Sequence, residues 1–531
     1  MPTRAWLCDS LHRQFPLSLP GRGRTLSLPI PRGGRASFQA YARAEGEKRV
    51  DLSIQAEAPD GLSVTVRRIG VVPVPHHGTG TPPEELDGLG CIPGFVPDPL
   101  YPETTVKAAP RESTGFWLSV EAAPDARPGP RDIRVKLQAG ERQFDMTASV
   151  QVSNVVLRPR RGLPVTHWFY ADALCDWYRV EPFSKEFWPI FEKYVRNYVA
   201  HGSDTLYVPV FTPPLDGVKR PTQLLRVTET APGRYAFDWR HVKRWIAIAQ
   251  RCGVRNFEWT HFFTQWGVKN AIRIYHGHGL DERLLWPPET GATSDTYRNF
   301  LSQFLPALKR FLDREGLLSR SFFHVSDEPR GPEMRENYRR ARGLLRDLAP
   351  WMKVMDALSE IEYGREGLTD MPVPSITKVR QFAEEGIDCW AYFCCGPRGK
   401  YINRLLDTPL PKIRMLGWLL YRFNSRGFLH WGYNYWYQSQ TRRLIDPFTV
   451  TDGLGWPNWS YGDTSVVYPG PDGPLDSIRW EVFAESLQDY TLLETLSVDP
   501  TGSFLSPCRD FDDFPKDPRW HAAALRKLLK A

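Results

Sequence analysis

Two carboxylates stand side by side in "SFFHVSDEPRGPEM", Ser321 to Met334, where an apolar run ends against a proline. Asp327 and Glu328 held close cannot both ionise freely, so one keeps its proton near neutral pH, which is what acid catalysis requires. A pair that flanks a glycosidic bond from two different strands holds its carboxyls about 5 Å apart. Neighbours in sequence suit another scheme. One acid protonates a leaving oxygen, and the other orients and charge-stabilises an attacking 2-acetamido group supplied by the substrate. The same residues also have a structural alternative, since an Asp before a proline-containing first turn is a normal helix start.

Successive strand residues point to opposite faces, so His324, Ser326 and Glu328 share one phase and Asp327 belongs to the other. Both carboxylates reach one pocket only where the chain turns or bulges at the strand end. Pro329 favours such a stop, because it has no N–H for the ladder and biases Glu328 away from helical angles.

The elements that position the pair follow from periodicity. From about residue 163 to 495, eight strand-like runs alternate with helical patterns: "THWFYAD", "DTLYVPVF", "NFEWTHFF", "SFFHVSD", "KVMDAL", "DMPVPSI", "IDCWAYFCC" and "GFLHWGYN". The helical patterns include "FSKEFWPIFEKYVRNYVAHG", "WRHVKRWIAIAQRCG", "TYRNFLSQFLPALKRFLDREG" and "MRENYRRARGLLRDL", with apolar residues three and four apart. This alternation predicts an α/β fold, a (β/α)8 TIM-type barrel with its active site at the C-terminal strand ends. A doubly wound sheet competes, but neither GxGxxG nor GxxxxGK[ST] follows any run, so no nucleotide cofactor is expected. Up to about Asn154 the texture differs: seven short alternating runs between Gly, Pro and Asp turns predict an N-terminal β-sandwich of roughly 150 residues. The expected domains are 1–160 (sandwich), 161–500 (barrel) and 501–531, a C-terminal extension with a short helix in "PKDPRWHAAALRKLLK". The proline-rich piece between Val72 and Thr104 is expected to be a loop packing on the next domain.

Composition narrows the function class. The 531 residues, 41% hydrophobic and 24% charged, describe a globular chain with ample core material. A net charge of +7 without any long Lys/Arg block argues against a nucleic-acid partner. No window approaches 18 uncharged apolar residues, so no membrane span is expected. The N-terminus lacks an apolar signal core, and the eight cysteines form no CxxC pair, which together lead to an expected cytoplasmic location. Cys394 and Cys395 are expected to be small packing residues rather than redox groups. In "YHGHG", His276 and His278 lack a carboxylate or cysteine framework, so no metal site is expected.

The aromatic content is unusual, with 19 Trp, 21 Tyr and 28 Phe. Most must be core, but those at strand ends suit stacking on the apolar C–H faces of sugars. His261 and Trp266 follow the third run, Asp356 lies near the end of the fifth, Tyr392 near the end of the seventh, and Trp431, Asn434 and Trp436 belong to the eighth. These seven are candidates for a sugar pocket. For Glu258 and Thr260 two readings stay open, a place in that pocket or satisfaction inside the barrel. The partner so implied is an oligosaccharide or glycoconjugate; the sequence leaves oligomeric state open.

The runs "HVSDEP", "DCWAYFCCGPRGKYINRLLDTPLPKIRMLGWLLYRFNSRGFLHWGYNYW" and "YPGPDGPLDSIRWEVFAESLQDYTLLETL" resemble the catalytic region of glycoside hydrolase family 123, formerly domain of unknown function 4091, over about Pro164 to Leu496. The resemblance implies an exo-acting retaining β-N-acetylgalactosaminidase on a (β/α)8 barrel with substrate assistance. It implies Glu328 as general acid/base, and Asp327 as orienter and stabiliser of an oxazolinium intermediate. Alternatives are a glycosidase of this fold acting on another sugar, and a non-catalytic carbohydrate-binding protein. Two departures stand out: "FAESLQDY" replaces the family's Arg-Asp/Glu-Gly run before Asp-Tyr, and Thr464 stands where glycine is commoner.

Overall fold

The computed structural model describes residues 3–78, 80–214, 220–277, 282–438, 441–451 and 460–530. The chain divides into two units: Gly162–Cys394 with Phe423–Ile445, and Met1–Arg161 with Cys395–Arg422 and Asp446–Ala531.

Among its described residues the first of these units has eight short parallel strands at the apolar runs, seven inside them and one starting a residue early at Val165. They are β1 (Val165–His167), β2 (Thr205–Val208), β3 (Asn256–Trp259), β4 (Ser321–Phe322), β5 (Met355–Asp356), β6 (Met371–Pro372), β7 (Ala391–Tyr392) and β8 (Phe428–His430). Six form one curled sheet in the order β4-β3-β2-β1-β8-β7, and β5 pairs with β6. Single parallel bridges, Phe323 to Val354 and Ser375 to Tyr392, link these two groups. All four residues of β2 are buried, as parallel strands covered on both faces require. Helices Phe187–Ala200, Arg240–Cys252, Asp295–Arg314 and Gly331–Leu348 occupy the four quoted helical patterns. Gly253 ends the second of them at φ 104°, a left-handed cap that a side chain would strain. An insertion between β2 and β3, the antiparallel pair Arg226–Ala231 and Arg234–Asp238, was not anticipated.

The other unit is rich in sheet. Across a seven-stranded sheet the order is Thr3–Asp9, Arg35–Ala44, Ser113–Ala122, Leu62–Val74, Gly94–Tyr101, Gly473–Ser477 and Tyr468–Gly470. A five-stranded sheet runs Thr25–Arg32, Arg142–Val156, Gly129–Ala139, Val50–Glu57 and Thr105–Ala108. One hydrophobic cluster draws on both, including Phe38, Phe116 and Leu118 from the first and Ile54, Ile133 and Val150 from the second. The proline-rich piece is not all loop: Gly94–Tyr101 is a strand with partners on both sides. Its remaining part is bonded within the same unit, Gly78 N–H donating to Asp407 at 2.6 Å and Tyr461 bonded to His76 at 2.8 Å. The terminal helix is Pro518–Leu529, capped by Asp517. Among the described residues no helix is long and apolar enough to cross a membrane.

Candidate active site

Strand β4 stops at Phe322, and the chain from His324 to Arg330 has no regular structure. Its backbone is nonetheless held at nearly every step. Phe262 and Phe263 donate N–H to the carbonyls of His324 and Val325 at 3.1 and 3.0 Å, and Trp266 N–H reaches the Asp327 carbonyl at 3.0 Å. Ser326 Oγ donates to the Thr264 carbonyl at 2.8 Å, and Tyr363 Oη to that of Pro329 at 3.2 Å. Asp356 accepts N–H from Val325 at 3.1 Å and from Ser326 at 3.3 Å.

This scaffold holds Glu328 at φ 44°, a left-handed conformation uncommon for a residue with a side chain. The turn breaks the strict alternation of a strand, and both Asp327 and Glu328 are half-buried. The helix-start alternative does not hold. Helix Gly331–Leu348 is capped at Arg330 without a side-chain bond, and its proline is Pro332.

The two carboxyls differ in company. Glu328 Oε1 accepts from Tyr392 Oη, and Oε2 from Arg330 Nη2 at 2.9 Å. Burial and the charge of Glu328 push the Asp327 carboxyl well above the usual carboxylate range, against the pull of His324 and Arg330. Two carboxyls this close disfavour double ionisation, which is the arrangement that suits acid catalysis.

Beneath the pair lies a buried polar layer. Glu258 accepts from Trp168 Nε1 at 2.6 Å, from His324 Nε2 at 2.7 Å and from Thr166 Oγ1. Asp356 accepts from Tyr338 Oη at 2.6 Å and from His324 Nδ1 at 3.1 Å. Burial raises the Asp356 carboxyl in spite of these donors. For His324, burial opposes the charge, but the bonds to Asp356 and Glu258 prevail and carry it up to about 10. His261 stacks on His324 with ring centroids 4.3 Å apart, and burial and that neighbouring charge hold it well below the ordinary histidine range.

The expected sugar-pocket residues fall into two groups. Trp266, 50% exposed at φ 54°, and Tyr392 are tied directly to the pair. Trp431 is half-buried and packs on Tyr435 at 5.1 Å between centroids. The rest are enclosed. His261 bonds Tyr207 Oη at 3.2 Å, and Asp356 is occupied by the 324–326 backbone, His324 and Tyr338. Asn434 clasps the backbone of Tyr170 with both ends of its amide, each at 2.9 Å. Trp436 is fully buried against Trp177 and Tyr194. Thr260 donates to the carbonyls of Val208 and Phe211, and Glu258 is taken up by Thr166, Trp168 and His324. His276 accepts the N–H of Glu229 at 3.1 Å; His278 lies outside the described residues. Arg330 and Tyr338 were not anticipated, and no spacing in the sequence singles them out.

The first solved structure to match is that of a family 123 glycoside hydrolase from Clostridium perfringens, studied for glycolipid glycan hydrolysis. It has 14% identity and a TM-score of 0.74, with 93% of this chain and 89% of that one covered. An Ig-like-domain family 10 xylanase from termite gut matches at 8% identity and TM-score 0.33, covering 88% of this chain and 100% of that one. A β-D-glucuronidase from Dictyoglomus thermophilum also matches at 8% and 0.33, covering 85% and 66%. No curated protein matches the chain. The family model described as "Glycoside hydrolase 123, catalytic domain" matches residues 168–496. That span is more than half of the chain and contains the carboxylate pair and, Thr166 apart, its supporting layer, and on it the protein is a member of glycoside hydrolase family 123.

Proposed function

We propose that the protein is an exo-acting retaining glycosidase that releases terminal β-linked N-acetylgalactosamine from oligosaccharides or glycoconjugates by substrate assistance. One observation carries this: adjacent Asp327 and Glu328, on a backbone turned at Glu328, are both partly exposed where β4 ends. Glu328 as the acid gives its proton to the glycosidic oxygen while the C1–O bond breaks. The acetamido oxygen bonds C1 from the opposite face, and Asp327 accepts the hydrogen bond of the acetamido N–H as positive charge spreads over the oxazolinium ring. Glu328, now a carboxylate, takes a proton from water, whose oxygen bonds C1 and reopens the ring. Two inversions give retention.

Trp266 and Trp431 are the platforms in this scheme, and Tyr392 holds Glu328. His261, Asp356, Asn434 and Trp436 support the pocket from behind. The eight strands act as one closed barrel through the Phe323–Val354 and Ser375–Tyr392 bridges, and the two sheets of the other unit as an accessory β-sandwich.

The test is release of p-nitrophenol from aryl 2-acetamido β-glycosides in galacto and gluco forms, beside plain hexosides and uronides. Glu328→Gln is expected to lose nearly all turnover, and Asp327→Asn to lose turnover of 2-acetamido sugars. Normal turnover by Glu328→Gln sinks the mechanism; preference for a plain hexoside moves the substrate, and binding without turnover favours a lectin-like role.

A further inference from the structure

His324 has no part in the steps above, yet both its ring nitrogens are bound to carboxylates of the layer beneath them. It is fully buried, with Nε2 2.7 Å from Glu258 Oε1 and Nδ1 3.1 Å from Asp356 Oδ1. An ionised carboxylate only accepts, so each ring nitrogen has to donate. A neutral imidazole owns one N–H, and either tautomer would turn a nitrogen lone pair against a carboxylate oxygen in a buried site. The other donors to Glu258 and Asp356 are already spent: Thr166 and Trp168 on the first, Tyr338 and the backbone N–H groups of Val325 and Ser326 on the second. With Glu258 and Asp356 both anions, the form that these five other donors favour, donor counting makes His324 an imidazolium. Its upward shift to about 10 agrees with the count, and so does the downward shift of His261, stacked 4.3 Å away.

Two consequences follow for the reaction. The first is mechanical. Asp356 is the residue that holds the N–H groups of Val325 and Ser326, and His324 anchors Asp356 to Glu258 on β3. The turn that presents Asp327 and Glu328 therefore hangs on a circuit spanning β1, β3, β5 and the helix of Tyr338. The second is electrostatic. The charged groups facing His324 are Glu258 and Asp356, with neutral His261 stacked on it and Tyr207 behind that ring. Those acting on Asp327 are Glu328 and Asp356, which raise its pKa, and His324 and Arg330, which lower it. Of the two cations His324 has the larger effect, and it is the one shielded from solvent and salt.

We propose that His324 is a permanent imidazolium and a positioning residue, which ties Glu258 to Asp356, holds the turn of Asp327 and Glu328, and sets the pH range in which that pair keeps one proton. The last clause rests on the pair being the catalytic one proposed above; the first two do not. A bound metal is the competing use of the cluster, since His261, His324 and Asp356 each offer an atom within 4.8 Å of the others. A metal would need a free lone pair on His324, where both nitrogens already face carboxylates.

The deciding experiment needs neither a variant that folds nor a known substrate. In the wild-type protein with 15N-labelled histidine, long-range 1H–15N correlation spectra from pH 6 to 9 are expected to show both His324 nitrogens protonated throughout. A neutral tautomer at pH 7, or a stoichiometric metal by elemental analysis, overturns the proposal. The second arm is the pH profile of kcat/KM for His324→Asn and His324→Gln on whichever glycoside the wild type cleaves. Asn places its amide toward Asp356 and Gln toward Glu258, so each keeps one donor and loses the charge. Without that charge the pair binds its second proton more readily, and the acid limb is expected to rise on the order of one pH unit. A lower kcat with both limbs unmoved refutes the charge-setting role. If the wild type cleaves no glycoside, the proposed catalytic function fails, while the nitrogen spectra still decide the state of His324.

Discussion

Tyr392 donates its phenolic hydrogen to Oε1 of Glu328, joining two strand ends 64 positions apart in sequence. Burial, and then the charge of Glu328, push that phenol well above the ordinary tyrosine range, so it stays a donor at every working pH. It fixes the rotamer of the proposed acid from the side opposite Arg330. Tyr392→Phe removes one hydrogen bond, to a carboxyl that is an anion once it has given up its proton, and leaves the ring in place. A contact of about 1.5–3 kcal/mol corresponds to a loss of about 10- to 100-fold in kcat/KM. Steady-state kinetics on the best aryl glycoside check this, and a loss below twofold would show that Arg330 alone suffices.

Trp266 offers a separate test, because its backbone and its ring do different things. The N–H anchors the Asp327 carbonyl, and Trp266, Gly267 and Val268 all lie at positive φ, at 54°, 139° and 56°. The half-exposed ring makes no part of that anchor. Trp266→Ala keeps the N–H and removes the stacking surface, so KM is expected to rise about tenfold, about 1.4 kcal/mol, with the melting temperature held. A lower melting temperature with KM unmoved would make the ring structural.

Much of this arrangement is legible in the sequence, for identifiable reasons. Parallel strands buried on both faces leave continuous apolar runs, and β2 to β8 each fall within one, with β1 starting one residue before its run. The pair at 327 and 328 is visible because its place at the end of the fourth run favours chemistry over the helix start that the residues alone also allow. The circuit beneath them is not visible, since His324 finds Glu258 66 positions back and Asp356 32 positions ahead. Asn434 shows the limit of strand-end reasoning: a polar group there must find a partner, but the partner here is the Tyr170 backbone. The strand Gly94–Tyr101 was hidden by Pro97 and Pro99, which argue against a ladder. It is accommodated by a register shift opposite Ile69 and Val71 and by a partner strand that starts at Gly473.

The departure "FAESLQDY" lies where two helices of the sheet-rich unit meet, Leu416–Arg422 and Ile478–Thr495. A Cβ at Gly417 would stand 1.8 Å from the carbonyl oxygen of Ser486, which is backbone and cannot swing aside. Beside this crossing, Arg414 bonds both oxygens of buried Asp489 at 2.7 and 2.9 Å. Gly417→Ala must therefore part the helices, and a cost of about 3 kcal/mol is expected from such overpacking. The readout is the urea midpoint. An alanine variant as stable as the wild type would show that the helices separate freely.

Stability should also fall as pH rises, and His324 gives the sign. Its pKa is about 10 in the fold against 6.5 for a free side chain, so the folded state binds the proton more tightly. That contribution is complete below pH 6.5 and is lost as pH climbs through 10. Asp327 adds the same slope, because a raised carboxyl also favours the protonated fold. Comparing the wild type with His324→Asn removes the His324 slope; Asp327 stays in both, and its own shift on loss of that charge, on the order of one pH unit, is the smaller of the two. The stability gap between the two proteins is expected to be widest near pH 6 and to close toward pH 10, measured by urea denaturation across that range. A gap that stays constant would mean that His324 contributes packing alone, and a gap that widens would require it to be neutral in the fold.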